Sequence, residues 1–336
     1  MGRRHLNAAI PDAATPKMPQ AQPPSYPTPY TDLVFSTMRE NLEYWLVVAV
    51  ARGLGRLPRG VARAAAGVLA FAVYWLAGRL RRVGKRNLEL ALPELSDRAR
   101  KKILRGVFRS LGRQLVEFCR MARYTPENTR AWLRTEGLEH YLAAEARGKG
   151  VLVITGHLGA WELSSFYHSM MGHPMGMVIR RLDNRKLDEF VNGIRCLHGN
   201  YVLHKDDFGR GLLKAMHAGG TVGILMDTNM TPPQGVFVEF FGRQACTATG
   251  LAHVARKTGA AVLPGFMVWE AAEGRYVLHF GPEVEIPQTE DVSADIVEGT
   301  RRCTAVIEAW IRRYPDQWLW IHRRWKTRPA GEAGIY

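Results

Sequence analysis

The chain has 336 residues, 46% of them hydrophobic and 10% aromatic, which suits one large packed domain or two small ones and excludes a wholly disordered protein. Its net charge is +15, and the excess is concentrated: residues 52–123 hold 18 Lys and Arg against 4 Asp and Glu. Such a segment points to an anionic partner (lipid headgroup, nucleic acid or acidic protein), the alternative being a solvated charged face. Cys119, Cys196, Cys246 and Cys303 lie far apart with no C-x-x-C pair, which fits a reducing compartment and offers no metal knuckle.

Residues 1–35 are expected to be a disordered tail, since the first 31 residues hold seven of the 18 prolines among Ala, Gln and Thr. The polar stretch after Met1 is not the apolar core of a secretory signal. Residues 36–125 read as a basic helical region that associates with membranes. Tyr44–Ala51 is one apolar run, and Ala64–Gly78, 15 residues between Arg63 and Arg79, is a second. The second falls short of the roughly 20 residues of a simple span. With Arg52, Arg56 and Arg59 between the runs, the pattern predicts a membrane-embedded hairpin or interfacial helix, a buried helical hairpin being the alternative. A basic patch from Arg79 to Arg86 follows. Residues 98–121 then form an amphipathic helix, with Ile103, Leu104, Val107, Phe108 and Leu111 recurring at three and four among basic residues.

Residues 126–330 change texture. Strands are predicted at Gly150–Thr155, Met175–Ile179, Thr221–Met226, Ala261–Val268 and Tyr276–Phe280. Helices are predicted at Glu162–Met171, Lys186–His198, Gly209–His217, Gly250–Thr258 and Asp295–Arg313. Alternation of this kind implies an α/β catalytic region, a largely parallel or mixed central sheet covered by helices.

The chemistry concentrates where the first of these strands ends. Gly156, His157, Gly159 and Glu162 occupy a strand-to-helix turn. His157 is the candidate general base. Glu162, in the first helical turn or two, is expected to accept a hydrogen bond from one imidazole nitrogen and hold the other toward a substrate. Gly156 and Gly159 permit the sharp turn and the approach of substrate, and the helix N-terminus beside them suits an oxyanion. No G-x-S-x-G, H-E-x-x-H, Walker A or G-x-G-x-x-G pattern is present.

These residues resemble the bacterial lipid A biosynthesis acyltransferase family, the late lauroyl/myristoyl acyltransferases of the wider H-x(4)-D/E glycerolipid acyltransferase group. The resemblance rests on Gly156 to Glu162, on Ile179-Arg180-Arg181-Leu182-Asp183-Asn184, on Ile224 to Asn229, on Gly235 to Gly250, on Tyr314 to Pro329, and on Asn87 to Glu94. It covers residues 40–330. It implies a glycerol-phosphate-acyltransferase-like α/β fold with an N-terminal membrane-associating helical segment at the bacterial inner membrane, the catalytic region facing the cytoplasm. It also implies transfer of a fatty acyl chain from acyl carrier protein to a hydroxyl of a lipid A precursor or related glycolipid. His157 and Glu162 would act as base and orienting acid, without an acyl-enzyme, a cofactor or a metal.

By the same resemblance, Arg180 would hold a phosphate of the acceptor or of the donor's phosphopantetheine, or else be a surface charge. Asp227 would orient the site or a sugar hydroxyl, or cap a helix. Thr247 and Thr249 are expected as helix caps. His322, Arg323 and Arg324 would meet phosphate or shape the site, and Trp318, Trp320 and Trp325 suit a membrane interface or a core equally. The pairing of Gly156-His157 with Glu162 is closer to the branch that includes mycobacterial mannoside acyltransferases, so an acyl-CoA-dependent lysophospholipid, mannoside or glycolipid acyltransferase is the alternative. A basic membrane-binding protein is the non-enzymatic one. No RNA-binding signature is present, and no nucleic-acid partner is expected.

Overall fold

The computed structural model describes residues 37–204 and 208–336, so the proline-rich stretch expected as a tail lies outside the described residues. Residues Glu40–Tyr336 form one compact unit.

Seven strands build the central sheet: β1 (Leu133–Glu136), β2 (Val151–Thr155), β3 (Met175–Ile179), β4 (Tyr201–His204), β5 (Thr221–Leu225), β8 (Ala261–Glu270) and β9 (Arg275–Phe280). Their order is β1-β9-β8-β2-β5-β3-β4. From β8 to β4 all neighbours are parallel; β9 turns back antiparallel to β8, and β1 lies parallel to β9. Each predicted strand is found with its ends moved by at most two residues. The short edge strands β1 and β4 escaped prediction, β1 because its Leu-Arg-Thr-Glu sequence carries no apolar run. Also unforeseen is a two-stranded hairpin of β6 (Gly235–Phe240) and β7 (Arg243–Ala248).

The helices are α1 (Thr37–Arg56), α2 (Arg59–Leu76), α3 (Gly78–Ala91), α4 (Asp97–Arg120), α5 (Pro126–Thr129), α6 (Leu138–Glu145), α7 (Trp161–Met170), α8 (Arg185–Arg195), α9 (Phe208–His217), α10 (Gly250–Thr258) and α11 (Val292–Arg313). Side chains alternate across a strand, and β2 shows the result. Leu152 and Ile154 enter one core, shared with Leu212, Leu251, Ile307 and the C-terminal tryptophans. Val151 and Val153 enter another, shared with Tyr141, Leu163, Phe166 and Met121. A strand covered on both faces reads as the continuous apolar run that the sequence displays.

The basic helical region packs onto this frame through small residues. In α2, Ala62, Ala66 and Ala70 are buried, and at Gly112 of α4 a Cβ would stand 3.0 Å from the Ala66 carbonyl oxygen and 3.2 Å from the Ala70 Cβ. At Gly55 of α1 a Cβ would stand 2.6 Å from the Cys119 carbonyl oxygen. The bulky apolar residues point the other way: Trp45, Leu46, Val50, Phe71, Trp75 and Leu76 are exposed, Leu76 by 85%. Among the described residues, α2 is the one helix long and apolar enough, by length and composition, to cross a membrane.

Several of the clustered cations are structural. Glu117 of α4, fully buried, takes Arg59 Nη2 at 3.0 Å, Arg63 Nη2 at 2.9 Å and the Tyr124 hydroxyl at 2.6 Å. The two guanidinium groups lie over Trp132 and Trp269, 3.3 and 4.4 Å from the ring centres. Arg120 and Arg123 donate to the Gly55 carbonyl at 3.3 and 2.8 Å. Glu117→Gln strands two cations on one neutral amide, and because both arginines keep some contact with water the expected loss is at the low end for a broken buried pair, about 3 kcal/mol. Urea unfolding in detergent measures it; an unchanged midpoint would mean that the arginines are held by their aromatic neighbours alone.

Candidate active site

β2 and β5 are adjacent and parallel, with Thr155 opposite Leu225. Two residues beyond that last pair, His157 and Asp227 leave the sheet side by side at its carboxyl edge. The Met226 N–H donates to the Thr155 carbonyl at 3.1 Å, which extends the register to the site. Asp227 then receives three donors: the His157 backbone N–H at 2.7 Å, the His157 ring at 2.9 Å from Nδ1, and the Trp318 indole N–H at 2.7 Å. An ionised carboxylate only accepts, so the ring proton sits on Nδ1 and Nε2 is the basic nitrogen.

Two glycines make this approach possible. A Cβ at Gly156 would stand 3.1 Å from the Asp227 carboxyl group. Gly159 has φ +64°, and a Cβ there would stand 2.0 Å from the Met267 carbonyl oxygen. The C-terminal segment laces over the same turn. Leu158 bridges Trp318 antiparallel, the Gly159 N–H donates to the Gln317 carbonyl at 3.0 Å, and the Leu319 N–H donates to the His157 carbonyl at 3.0 Å. Gln317 is itself fixed to the Trp269 backbone by two bonds of 2.9 Å.

Burial pushes the His157 imidazole down, but the Asp227 charge and hydrogen bond, with a further contribution from the Glu162 charge, outweigh it, and its pKa lies above the ordinary 6.5. For Asp227, burial acts upward and the imidazole, the indole and the backbone N–H act downward; the carboxyl group is held well below its ordinary range. A buried Asp-His pair with one imidazole nitrogen turned outward is built to take a proton and to stabilise the cation that results.

Glu162 does not make the hydrogen bond expected of it. It is the second residue of α7, and its carboxylate is bound by Arg195 of α8, at 2.5 Å from Nη2 and 2.8 Å from Nε. The helix carries the side chain toward α8, and Asp227 fills the place beside the imidazole. Nor does Asp227 cap a helix. Nothing in the sequence signalled Arg195.

Arg180 stands at the end of β3, on the same sheet edge, but its side chain is 81% exposed and pairs with Asp183 at 3.2 Å; it does not join the histidine. His322 does lie beside it: its Nε2 accepts the Asn229 N–H at 3.1 Å, two residues past Asp227. Burial, acting first, and the nearby His157 keep His322 below its ordinary pKa. Arg324 is fully buried, donates to the Cys246 carbonyl at 2.8 Å and to the Thr247 hydroxyl, and has its pKa lowered by burial to about 10. Thr247 is therefore a partner of Arg324 rather than a cap. Thr249 occupies the N-cap position of α10 but sends its hydroxyl to the Gln234 carbonyl at 3.4 Å. Trp318, Trp320 and Trp325 belong to the core, each at most 1% exposed. Asn87 of α3, also buried, donates to the Trp320 and His322 carbonyls at 2.6 Å each, which joins two of the sequence motifs.

A sequence model of the family described as bacterial lipid A biosynthesis acyltransferase matches residues 33–327. The chain is 34% identical over 259 residues to the lipid A biosynthesis palmitoleoyltransferase of Escherichia coli (strain K12), covering 76% of this chain and 81% of that protein. It is 31% identical over 309 residues to the lipid A biosynthesis lauroyltransferase of the same organism, covering 90% and 98%. To the lipid A biosynthesis myristoyltransferase of that organism it is 24% identical over 264 residues, covering 77% and 80%.

Proposed function

The chain belongs to the bacterial lipid A biosynthesis acyltransferase family and is an acyltransferase, and from that premise we propose a direct transfer of a fatty acyl group, from the thioester of acyl carrier protein to a hydroxyl of a lipid A precursor. His157 Nε2 takes the hydroxyl proton as the oxygen attacks the thioester carbonyl. The new C–O bond forms, the tetrahedral intermediate collapses with cleavage of the C–S bond, and the thiolate leaves, taking the proton back from the imidazolium. Asp227 stays ionised throughout, fixes the Nδ1–H tautomer and stabilises the cation. Glu162, neutralised in part by Arg195, contributes charge from a longer distance. The single observation that carries this reading is the His157–Asp227 pair at the carboxyl edge of the sheet.

The exposed apolar faces of α1 and α2 support attachment to the cytoplasmic face of the inner membrane. Because the alanine face of α2 is committed to α4, the hairpin lies in the interface rather than standing across the bilayer. Anionic lipid and the acidic carrier protein both suit the basic surface of α3 and α4.

The test is acyl transfer in detergent from carrier protein loaded with C12, C14 or C16 chains, and from the matching acyl-CoA, to tetra-acylated lipid A precursor, with His157→Ala as control. Histidine-dependent product from the carrier, with at least tenfold less from acyl-CoA, is expected. Preference for acyl-CoA would overturn the donor assignment, and product that survives His157→Ala would overturn the mechanism.

A further inference from the structure

Beside the dyad lies an open cavity of about 530 Å³ whose wall includes Arg79, Asn229, His322, Arg323 and Lys326. We propose that this cavity binds a phosphate ester of the substrate through Arg79, Arg323 and Lys326. The proposal rests on the acyl-transfer reading for the identity of the substrate, and on the following observations for the site.

The first observation is position. Asn229 follows Asp227 by two residues and is joined to His322 Nε2. The His322 N–H in turn donates to the Leu319 carbonyl at 3.1 Å, and the Leu319 N–H to the His157 carbonyl at 3.0 Å. One side of the cavity is thus continuous with the turn that holds the base.

The second is charge. Three cations share the cavity and no carboxylate lines it. Arg323 rests 5.8 Å from the Tyr336 ring centre, and neither Arg79 nor Lys326 has a carboxylate partner among the described residues. Elsewhere in this region arginines are neutralised by protein groups: Arg59 and Arg63 by Glu117, and Arg100 by Asp97. Cations gathered without a counterion repel one another and favour an anionic ligand.

The third is the start of α3. Arg79 and Leu80, both on the cavity wall, lie in its first turn. The N-cap residue Ala77 makes no side-chain cap, and that turn contains no acid. The positive end of the helix dipole therefore has no acidic side chain in its own first turn, although the carbonyl end of α2 adjoins it through Ala77. His322 adds a donor of its own: its Nε2 is engaged as an acceptor, so the neutral ring carries its proton on Nδ1. The arginine that the sequence offered for phosphate, Arg180, is on the open surface with Asp183.

Two parts of the reaction carry such a group, the sugar phosphates of the acceptor and the phosphodiester of the donor's prosthetic arm. The exposed Trp75 and Leu76 stand four and three residues before Arg79, which sets the cavity at the level where a lipid headgroup meets its acyl chains.

Binding without turnover tests the site. The full chain carrying His157→Ala, in detergent, is titrated with tetra-acylated diglucosamine bisphosphate and with the same lipid after phosphatase treatment, alone and with Arg79→Ala, Lys326→Ala or both. Each cation lost is expected to weaken the phosphorylated lipid by roughly tenfold and leave the dephosphorylated lipid unchanged. In the otherwise parental enzyme, the KM for the acceptor should rise with kcat preserved within a few-fold. If the KM for the carrier thioester rises instead, and the lipid titrations do not change, the phosphate is the donor's. Unaltered binding and unaltered KM for both substrates in a double variant that melts like the parent would overturn the proposal. A chain that prefers phosphorylated lipid but transfers no acyl group would retain this site and sink the reaction instead.

Discussion

Alanine at position 157 is expected to leave a folded protein that transfers acyl groups about 10²–10⁴-fold more slowly. No neighbouring group replaces the imidazole. His322 Nε2 is occupied by the Asn229 N–H, and its pKa is depressed. Glu162 is held by Arg195. The fold survives because the backbone bonds of residue 157, to Asp227 through its N–H and from Leu319 to its carbonyl, do not depend on the side chain, and Asp227 keeps the Trp318 donor. Initial rates with carrier-bound donor, read beside a thermal melt, check the result; a variant that turns over at the parental rate removes His157 from the mechanism.

Asp227→Asn is expected to cost as much, about 10²–10⁴-fold. The carboxylate accepts from three donors. A carboxamide has one acceptor oxygen, so whichever way it turns its own NH₂ faces one of those donors. The pH profile separates this explanation from simple unfolding. Since the His157 pKa is raised, the acid limb of kcat/KM in the parent lies above 6.5. Without the charge of Asp227, burial dominates and the limb moves down. An Asn variant whose limb coincides with the parent's would detach Asp227 from the base. Stability follows the same pair. His157, raised on folding, contributes stability that is complete below its unfolded value of 6.5 and lost as pH rises through its folded pKa. Asp227, depressed on folding, contributes stability that is present above its unfolded value of 3.8 and lost as pH falls through its folded pKa. The pair is fully stabilising only between the two. Glu162→Ala, removing a more distant charge, loses less activity than either substitution.

The strand–turn–helix around His157 was readable because its signals are local: an apolar run for the strand, two glycines for the turn, and a periodic segment for the helix. The adjacency of β2 and β5 is not local, and no periodicity reveals it. Asp227 was therefore visible as a residue at a strand end, while its actual partner was not, and Glu162, nearer in sequence, took its place in the reading. The C-terminal motif was readable as a pattern but not as a clamp, since Trp318 reaches Asp227 only after the sheet has formed. The β6–β7 hairpin stayed hidden for a different reason. Its two-residue turn, Phe241 at φ 53° and Gly242 at φ 69°, puts a phenylalanine where Asn or Asp usually stands. That ring packs 5.6 Å from Trp320, with Arg312 over its face at 4.6 Å. Tertiary packing there outweighs the local preference against a left-handed aromatic residue.

The lacing of Gln317, Trp318 and Leu319 over the histidine turn has a consequence for synthesis. The apolar helices, residues 37–76, leave the ribosome well before the clamp at residues 317–319. At roughly 5–20 residues per second, on the order of ten seconds or more separate the two. In a nascent chain the histidine is thus made but not oriented until residues 317–319 have emerged. Stop codons placed between Arg313 and Gln317 should therefore yield acyl-inert protein rather than partially active enzyme.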